Sequence, residues 1–124
     1  MTESATLSVL LVDDEPLIRM MVTDMLEELG HRVVAEAADV DKAAMLARST
    51  AFDLAILDVN LDGATSFPVA DAIVARGIPL IFATGYGSPS MVDRYSRNVR
   101  LQKPYGIEML RATIDLAMRG TIHA

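Results

Sequence analysis

Three short runs of the chain contain only apolar residues, at positions 9–12, 54–57 and 80–83. Strands that are apolar on both faces are typical of the interior of a parallel sheet, where helices cover each side. Two weaker runs, at 33–35 and 99–102, include or adjoin polar residues. This mixture is typical of a strand with one face partly in water. We therefore expect three central strands and two edge strands.

Between these runs, apolar residues recur at spacings of three and four, which is the period of an amphipathic helix. The first helix is predicted to begin at Pro16, because proline is favoured in the first helical turn, and to end at Gly30, because glycine suits the position after a helix. The other predicted helices lie at 40–47, 67–77, 89–95 and 107–119, with the weakest pattern at 89–95.

Strand and helix patterns alternate five times along the chain. This alternation predicts an α/β fold, in which right-handed crossovers place helices on both faces of a parallel sheet. A length of 124 residues suits one domain with a single sizeable core. We find no linker, repeat or low-complexity segment, and the last helix is predicted to end near the last residue. We therefore expect a single domain.

Composition and charge exclude several classes of function. The formal net charge is −6 and no stripe of Lys or Arg compensates for it, which disfavours a nucleic acid as a partner. There are no cysteines, which excludes disulfides, thiol catalysis and cysteine-ligated metals. The first residues lack the features of a signal peptide, and no apolar run reaches membrane-spanning length. We expect a cytoplasmic protein that binds neither nucleic acid nor membrane.

Polar residues follow the predicted strands at the points where those strands end. Asp13 and Asp14 follow the first run, Asp58 follows the middle run, and Thr84 and Lys103 follow the last two strands. In open α/β sheets, ligands bind at the carboxyl ends of the strands. The sequence therefore predicts a binding site made of three carboxylates, a hydroxyl group and an ammonium group.

Three carboxylates at one edge would repel one another unless a cation compensates for their charge. Mg²⁺ suits such a site, because it accepts one or two protein carboxylates, keeps several waters and leaves positions open for a phosphate oxygen. Lys103 would then neutralise part of the acidic cluster and hold an incoming phosphoryl oxygen.

Each of these residues also has an ordinary structural interpretation. Asp13 and Asp14 precede the first helix, where carboxylates stabilise the helix N-terminus. Asp58 and Thr84 suit turns, and Lys103 suits a solvated surface. What favours a site is that all five residues occur at the strand ends of one sheet.

The four strand-end motifs LLVDDEP, LAILDVNLDG, LIFATG and LQKP, in this order, resemble the receiver domain of bacterial two-component response regulators. The resemblance covers essentially the whole chain. It implies a doubly wound, flavodoxin-like or CheY-like five-stranded parallel sheet with strand order 2-1-3-4-5, flanked by five helices. It also implies one receiver domain over residues 1–124, with no output domain.

The resemblance assigns roles to individual residues. Asp58 is the expected phosphoacceptor, and Thr84 and Lys103 are expected to bind phosphoryl oxygens. For Mg²⁺, Asp14 and Asp58 supply carboxylates, Asp13 orients a metal-bound water, and the fourth contribution is the backbone carbonyl of Asn60.

The implied reaction is an attack by Asp58 on the phosphohistidine of a sensor histidine kinase or phosphotransfer protein. The acyl phosphate would shift the domain towards a second conformation, which signals to a downstream protein, or the domain would serve as a phosphate sink. The chain would not be an enzyme beyond its own phosphoryl transfer and dephosphorylation.

The chain departs from the usual receiver pattern in two places. Receivers usually carry an aromatic residue three positions before the lysine, and this chain has Arg100 there. The loop after Asp58 lacks the proline that receivers often have. However, the segment FATGYG at 82–87 resembles a receiver subgroup that lacks the switch aromatic and has a Phe-Ala-Thr-Gly motif with a nearby tyrosine. We therefore expect Thr84 and Tyr86 to move together on phosphorylation, with the flanking glycines permitting the movement.

Three other functions fit parts of the pattern. An interaction module with a receiver fold, which binds its partner without phosphorylation, stays open because the switch aromatic is missing. A haloacid-dehalogenase-like phosphohydrolase also uses an aspartate nucleophile and Mg²⁺, but such enzymes have paired aspartates on one strand, whereas Asp58 follows a different strand from Asp13 and Asp14. A flavodoxin-like cofactor binder is disfavoured because Asp13 and Asp14 would repel a phosphate.

Overall fold

The computed structural model describes residues 6–85, 95 and 98–120. In chain order, the helices and strands are β1 (Ser8–Val12), α1 (Pro16–Glu28), β2 (Arg32–Ala37), α2 (Val40–Ser49), β3 (Leu54–Asp58), β4 (Asn60–Leu61), β5 (Ala64–Thr65), α3 (Phe67–Ala75), β6 (Leu80–Thr84), β7 (Arg100–Gln102) and α4 (Ile107–Gly120). Most of the helix predicted at 89–95 lies outside the described residues, and so does Tyr86. None of the helices in the described part of the chain is long and apolar enough to cross a membrane.

Five of the strands form one parallel sheet, in the order β2-β1-β3-β6-β7. This order confirms the predicted 2-1-3-4-5 arrangement, since β6 and β7 are the fourth and fifth strands predicted from the apolar runs. The two weaker runs form the edge strands β2 and β7, as expected. Within the described residues, four helices flank the sheet.

The sheet separates two apolar cores, because alternate residues of each strand point to opposite faces. In β1, Leu10 and Val12 face the layer of α2 and α3, whereas Val9 and Leu11 face the layer of α1 and α4. Every residue of β3 is buried. A central strand therefore needs apolar residues at odd and even positions alike, which explains the continuous apolar runs.

The loop without the usual proline forms a small antiparallel hairpin from β4 and β5, which the sequence analysis did not predict. Asp62 and Gly63 connect the two strands with φ values of 52° and 90°. Two consecutive positive φ values are what a type I′ turn requires, and Asp-Gly is a favoured pair for it. Leu61 anchors the hairpin in the core, where it is 2% exposed.

Arg76, just after α3, holds the C-terminus of α2. Its Nη1 donates hydrogen bonds to the carbonyl oxygens of Ala47 at 2.6 Å and Thr50 at 2.8 Å. These carbonyls lie at the end of α2, where main-chain acceptors lack partners within the helix. The guanidinium also lies over the ring of Phe52, 5.1 Å from its centroid. Arg76 therefore joins α2, the turn before β3 and the end of α3.

We predict that Arg76→Met lowers the stability of the fold by about 1–2 kcal/mol, because two carbonyls lose a charged donor and Phe52 loses a cation–π contact. The measurement is thermal unfolding followed by circular dichroism. Arg111→Met is the control, since Arg111 makes an exposed ion pair within α4 and its loss should leave the melting temperature unchanged. Equal melting temperatures for the Arg76 variant and the wild type would contradict this role.

Candidate functional site

The carboxyl ends of four strands bring the predicted site residues to one edge of the sheet. Asp13 and Asp14 follow β1, Asp58 ends β3, Thr84 ends β6 and Lys103 follows β7. Asp13, Asp14 and Asp58 each offer one carboxylate oxygen, and these oxygens lie within 4.8 Å of one another. The residues that the sequence singled out therefore lie together, although they are up to 90 positions apart.

Lys103 bridges two of the carboxylates. Its Nζ donates hydrogen bonds to Asp13 Oδ2 at 2.8 Å and to Asp58 Oδ2 at 2.9 Å. Its backbone N–H donates to the carbonyl of Thr84 at 2.8 Å, which joins the loop after β7 to the end of β6. Only 18% of the lysine side chain is exposed, so the interpretation of Lys103 as a solvated surface residue is wrong.

Burial and charge shift the pKa values of this bridge. Burial raises the pKa of Asp58; the hydrogen bond and charge of Lys103 oppose this effect, and the charge of Asp13 adds to it, so the pKa stays above its ordinary value. Burial lowers the pKa of Lys103, but its hydrogen bonds to Asp13 and Asp58 outweigh burial and raise it overall. Lys103 is therefore an ammonium group, and Asp58 is a carboxylate in an unfavourable environment.

The two aspartates after β1 are not helix caps. The N-cap of α1 is Glu15, and among the described residues no side chain caps this helix. Instead, Asp13 Oδ1 accepts the N–H of Glu15 at 2.9 Å, and Asp14 Oδ2 accepts the N–H of Asp62 at 2.9 Å. The β4–β5 hairpin thus contacts the acidic cluster directly.

Asn60 lies two residues after Asp58, at the start of this hairpin. Its backbone N–H donates to Asp58 Oδ1 at 3.2 Å, and its side-chain oxygen accepts the N–H of Gly63 at 3.1 Å. Both carboxylate oxygens of Asp58 therefore have donors, one from the hairpin and one from Lys103. This pairing fixes the orientation of the Asp58 carboxylate.

A cavity of about 590 Å³ opens beside the acidic cluster. Asp58, Asn60 and Lys103 line one part of it, and the apolar face of α1 and Tyr105 line another. Burial raises the pKa of Tyr105 to about 12. The cluster is therefore reachable from outside through a cavity that is polar at the carboxylates and apolar along α1.

The position of the usual switch aromatic is on the surface. Arg100 lies on the edge strand β7, paired with Phe82 of β6, and is exposed. A different aromatic residue packs behind the site, since the ring of Tyr95 lies 5.1 Å from that of Phe82 and 5.9 Å from that of Phe67. The Tyr95 hydroxyl donates to Asp71 Oδ1 at 2.6 Å. Tyr95 thus joins α3 to the strand that carries Thr84.

A doubly wound sheet with three carboxylates and a lysine at its carboxyl edge defines the receiver class of signalling domains. The family model described as the response regulator receiver domain matches residues 9–115. The chain belongs to this family.

Two curated relatives contain a region similar to this chain. PdtaR of Mycobacterium tuberculosis, named as a transcriptional regulatory protein, is 34% identical over 114 residues, which cover 89% of this chain and 56% of PdtaR. The sensor histidine kinase AruS of Pseudomonas aeruginosa is 34% identical over 119 residues, which cover 89% of this chain and 12% of AruS. This chain therefore spans about half of the first relative and a small part of the second.

Among solved structures, SdrG of Sphingomonas melonis Fr1 is 39% identical, with a TM-score of 0.84 over 94% of this chain and 99% of SdrG. A structure of the BeF3-activated conformation of SdrG from Pseudomonas melonis Fr1 is 41% identical, with a TM-score of 0.74 over 89% of this chain and 95% of that one. Both SdrG structures therefore share the fold of this chain over nearly their whole length.

Some residues of the site were not found from the sequence. Arg19 in α1 donates to the main-chain carbonyl of Asp13, and the N–H of Asp62 donates to Asp14. A backbone group has no side-chain signal, so the sequence carries no direct sign of the Asp62 contact. Arg19 is a charged residue among the apolar residues of α1, and this contrast was a signal of a specific contact. Its partners are known only from the fold.

We predict that Asp58→Asn raises the melting temperature by several degrees in Mg²⁺-free buffer at neutral pH. The pKa of Asp58 is higher in the folded protein than in the unfolded chain, where it is about 4. The folded protein therefore loses stability as the pH rises from the unfolded pKa through the folded pKa. At neutral pH the buried carboxylate therefore lowers the free energy of unfolding by its full amount. Asparagine is uncharged, so the substitution removes this destabilisation.

The test compares thermal unfolding of the two proteins, with a chelator present, between pH 3 and pH 8. The difference in melting temperature should shrink as pH falls below about 4, where the carboxyl is protonated in both states. Asp53→Asn is the matched control, because Asp53 is exposed and lies just before the same strand. A lower melting temperature for Asp58→Asn at neutral pH would contradict this account.

Proposed function

We propose that this chain accepts a phosphoryl group on Asp58 from a phosphohistidine of a sensor histidine kinase or phosphotransfer protein. The observation that supports this most directly is the position of Lys103, whose Nζ lies 2.9 Å from Asp58 Oδ2 and 2.8 Å from Asp13 Oδ2. An ammonium group at this distance from the nucleophile would also reach an oxygen of a phosphoryl group bonded to Asp58.

The donor set fits Mg²⁺. Carboxylate oxygens are the hard ligands that this ion prefers, and the cluster of Asp13, Asp14 and Asp58 brings three of them within 4.8 Å of one another. Among the residues described at this edge, one ammonium group faces three carboxylates, so one more cation is needed to balance their charge. In our proposal Asp14, Asp58 and the backbone carbonyl of Asn60 hold Mg²⁺, and Asp13 orients a water bound to it. The bound ion would offset the negative charge of the phosphoryl oxygens.

The chain's own residues then carry the transfer. A carboxylate oxygen of Asp58 forms a bond to phosphorus while the bond from phosphorus to the imidazole nitrogen breaks, and the imidazole keeps the electron pair. Lys103 and Thr84 bind phosphoryl oxygens of the product, an acyl phosphate. Because Lys103 contacts two carboxylates, it can exchange the Asp58 oxygen for a phosphoryl oxygen and keep its contact with Asp13.

The added charge would change the surface that the domain presents. Thr84 ends β6 and its carbonyl holds the backbone of Lys103, so a shift of either residue moves the other. We propose that the phosphorylated domain signals to a downstream protein or acts as a phosphate sink, and that it works as a single receiver domain over residues 1–124. The Phe-Ala-Thr-Gly motif that includes Thr84, with Arg100 exposed on β7, supports membership of the subgroup without the switch aromatic. In that subgroup we assign the switch movement to Tyr86.

The direct test is a mass measurement. The protein is incubated with Mg²⁺ and a small acyl-phosphate donor, and the intact mass is recorded over time. We expect one phosphoryl adduct on the wild type, and none on Asp58→Asn or in the presence of a chelator, because the nucleophile or the charge compensation is then missing.

Asp53→Asn serves as the control and should form the adduct at the wild-type rate, since Asp53 lies at the opposite end of β3 from Asp58. If the wild type forms no adduct with the small donor or with candidate kinases, the phosphorylation on Asp58 that we propose is wrong. A phosphorylation-independent interaction module would then explain the fold better.

Lys103→Met should slow adduct formation by about 100-fold or more, because the phosphoryl oxygens lose a charged donor that is already in position. Lys103→Arg should restore only part of the rate, since a guanidinium has a different shape from an ammonium group. The rates are measured with the same acyl-phosphate donor at saturating Mg²⁺.

The matched control is Lys42→Met, which replaces an exposed lysine of α2. It should leave the rate unchanged. A Lys103→Met protein that is folded and forms the adduct at the wild-type rate would show that Lys103 does not stabilise the transfer.

A further inference from the structure

Asp13 is held by hydrogen bonds at all four of its polar groups. Its N–H donates to the carbonyl of Ala37 at 3.1 Å, and its two carboxylate oxygens accept from Glu15 and Lys103. Its carbonyl accepts from Nη1 of Arg19 at 2.6 Å. The N–H and the two carboxylate oxygens bind partners in the sheet, in the same loop and in the site. The carbonyl oxygen instead binds the long side chain of Arg19, which extends from α1.

Arg19 is itself held in place. Its Nε donates to Oε1 of Glu36 at 3.0 Å, and only 19% of its side chain is exposed. Glu36 lies on β2, next to the Ala37 carbonyl that accepts from Asp13. A guanidinium has several N–H donors in one rigid plane, so it can bind two acceptors in fixed directions at once. Arg19 thus connects α1, the edge strand β2 and the loop after β1.

The carbonyl that Arg19 binds belongs to the peptide group joining Asp13 to Asp14. A peptide group is planar, so an anchor at its oxygen limits the rotation of the whole group. The nitrogen and Cα of Asp14 belong to the same plane, so the position of Asp14 is restricted as well. Arg19 therefore restrains two carboxylates of the acidic cluster through a single main-chain oxygen, without contacting either carboxylate in the structure.

We propose that Arg19 is a positioning residue for divalent cation binding at the acidic cluster, with Glu36 as its anchor. This inference rests on the proposed function, since it concerns the same Mg²⁺ site. Groups that orient metal ligands without touching the metal contribute substantially to affinity. Arg19 and Glu36 contribute opposite charges, so the pair adds no net charge to the site, and its effect is on geometry.

The test is the affinity for Mg²⁺ alone, measured by isothermal titration calorimetry on the whole chain. Arg19→Met removes the donor to the Asp13 carbonyl and should raise the dissociation constant about tenfold or more. Arg19→Lys should lie between the wild type and Arg19→Met, because lysine keeps the charge but not the two-directional geometry. At saturating Mg²⁺, the rate of adduct formation in Arg19→Met should recover most of its loss.

Arg76→Met is the control for a general loss of stability. It is expected to destabilise the fold, and Arg76 holds α2 and Phe52 rather than any residue of the site. Its Mg²⁺ dissociation constant should equal that of the wild type. A second reading comes from NMR, where Mg²⁺ should shift the amide signals of Asp14 and Glu15 less in Arg19→Met than in the wild type at the same concentration.

The outcomes separate this inference from the proposed function. If the wild type binds no Mg²⁺, the proposed metal site fails and the positioning role fails with it. If the wild type binds Mg²⁺ and Arg19→Met binds it equally well, only the positioning role is wrong. An equal loss of affinity in Arg76→Met would also overturn it, because lost stability would then explain the effect. Should Arg19→Met not fold, Glu36→Ala replaces it, and an unchanged dissociation constant in that variant would contradict the proposal.

Discussion

The bridge from Lys103 to Asp13 and Asp58 is the interaction on which the site depends. Both aspartate side chains are nearly inaccessible, at 5% and 7% exposure, and an unpaired charge at that depth would cost several kcal/mol. The lysine offsets part of this cost, and the surrounding main chain holds all three groups in place. The Thr84 carbonyl holds the lysine backbone, and the Asn60 N–H holds the second oxygen of Asp58. The geometry of the bridge is therefore set by the ends of four parallel strands.

The same bridge explains how a rigid sheet can carry a site that responds to charge. One ammonium group shared between two carboxylates leaves the cluster short of positive charge, so a cation and then a phosphoryl group can enter and exchange partners within it. In the proposed function, such an exchange would favour one arrangement of the loops over another, because it would change the contacts of Lys103 and Thr84. The hydrogen bond from the Lys103 N–H to the Thr84 carbonyl joins the two loops that carry these residues.

The fold can accommodate an unfavourable site because its cores lie elsewhere. Two apolar layers on the faces of the sheet stabilise the domain, and the acidic cluster lies at the edge beyond them. Arg76 stabilises the C-terminal end of α2, which precedes β3 and lies away from the cluster. A buried carboxylate that weakens the fold is tolerated where function requires it, as is common for binding and catalytic sites.

The sequence by itself determined the strands, their division into central and edge strands, and the identity of the residues at their carboxyl ends. These features are local, because a strand buried on both faces needs an unbroken apolar run, and its last residues are simply those that follow the run. The hairpin had a local signal in Asp62-Gly63, but its strands have only two residues each, too few to show an apolar pattern. Tertiary structure alone decided that Arg19 binds the Asp13 carbonyl and Glu36, and that Tyr95 packs on Phe82 and Phe67. Those partners lie on different elements of the fold, so their contacts depend on strand order and register, which no single stretch of sequence contains.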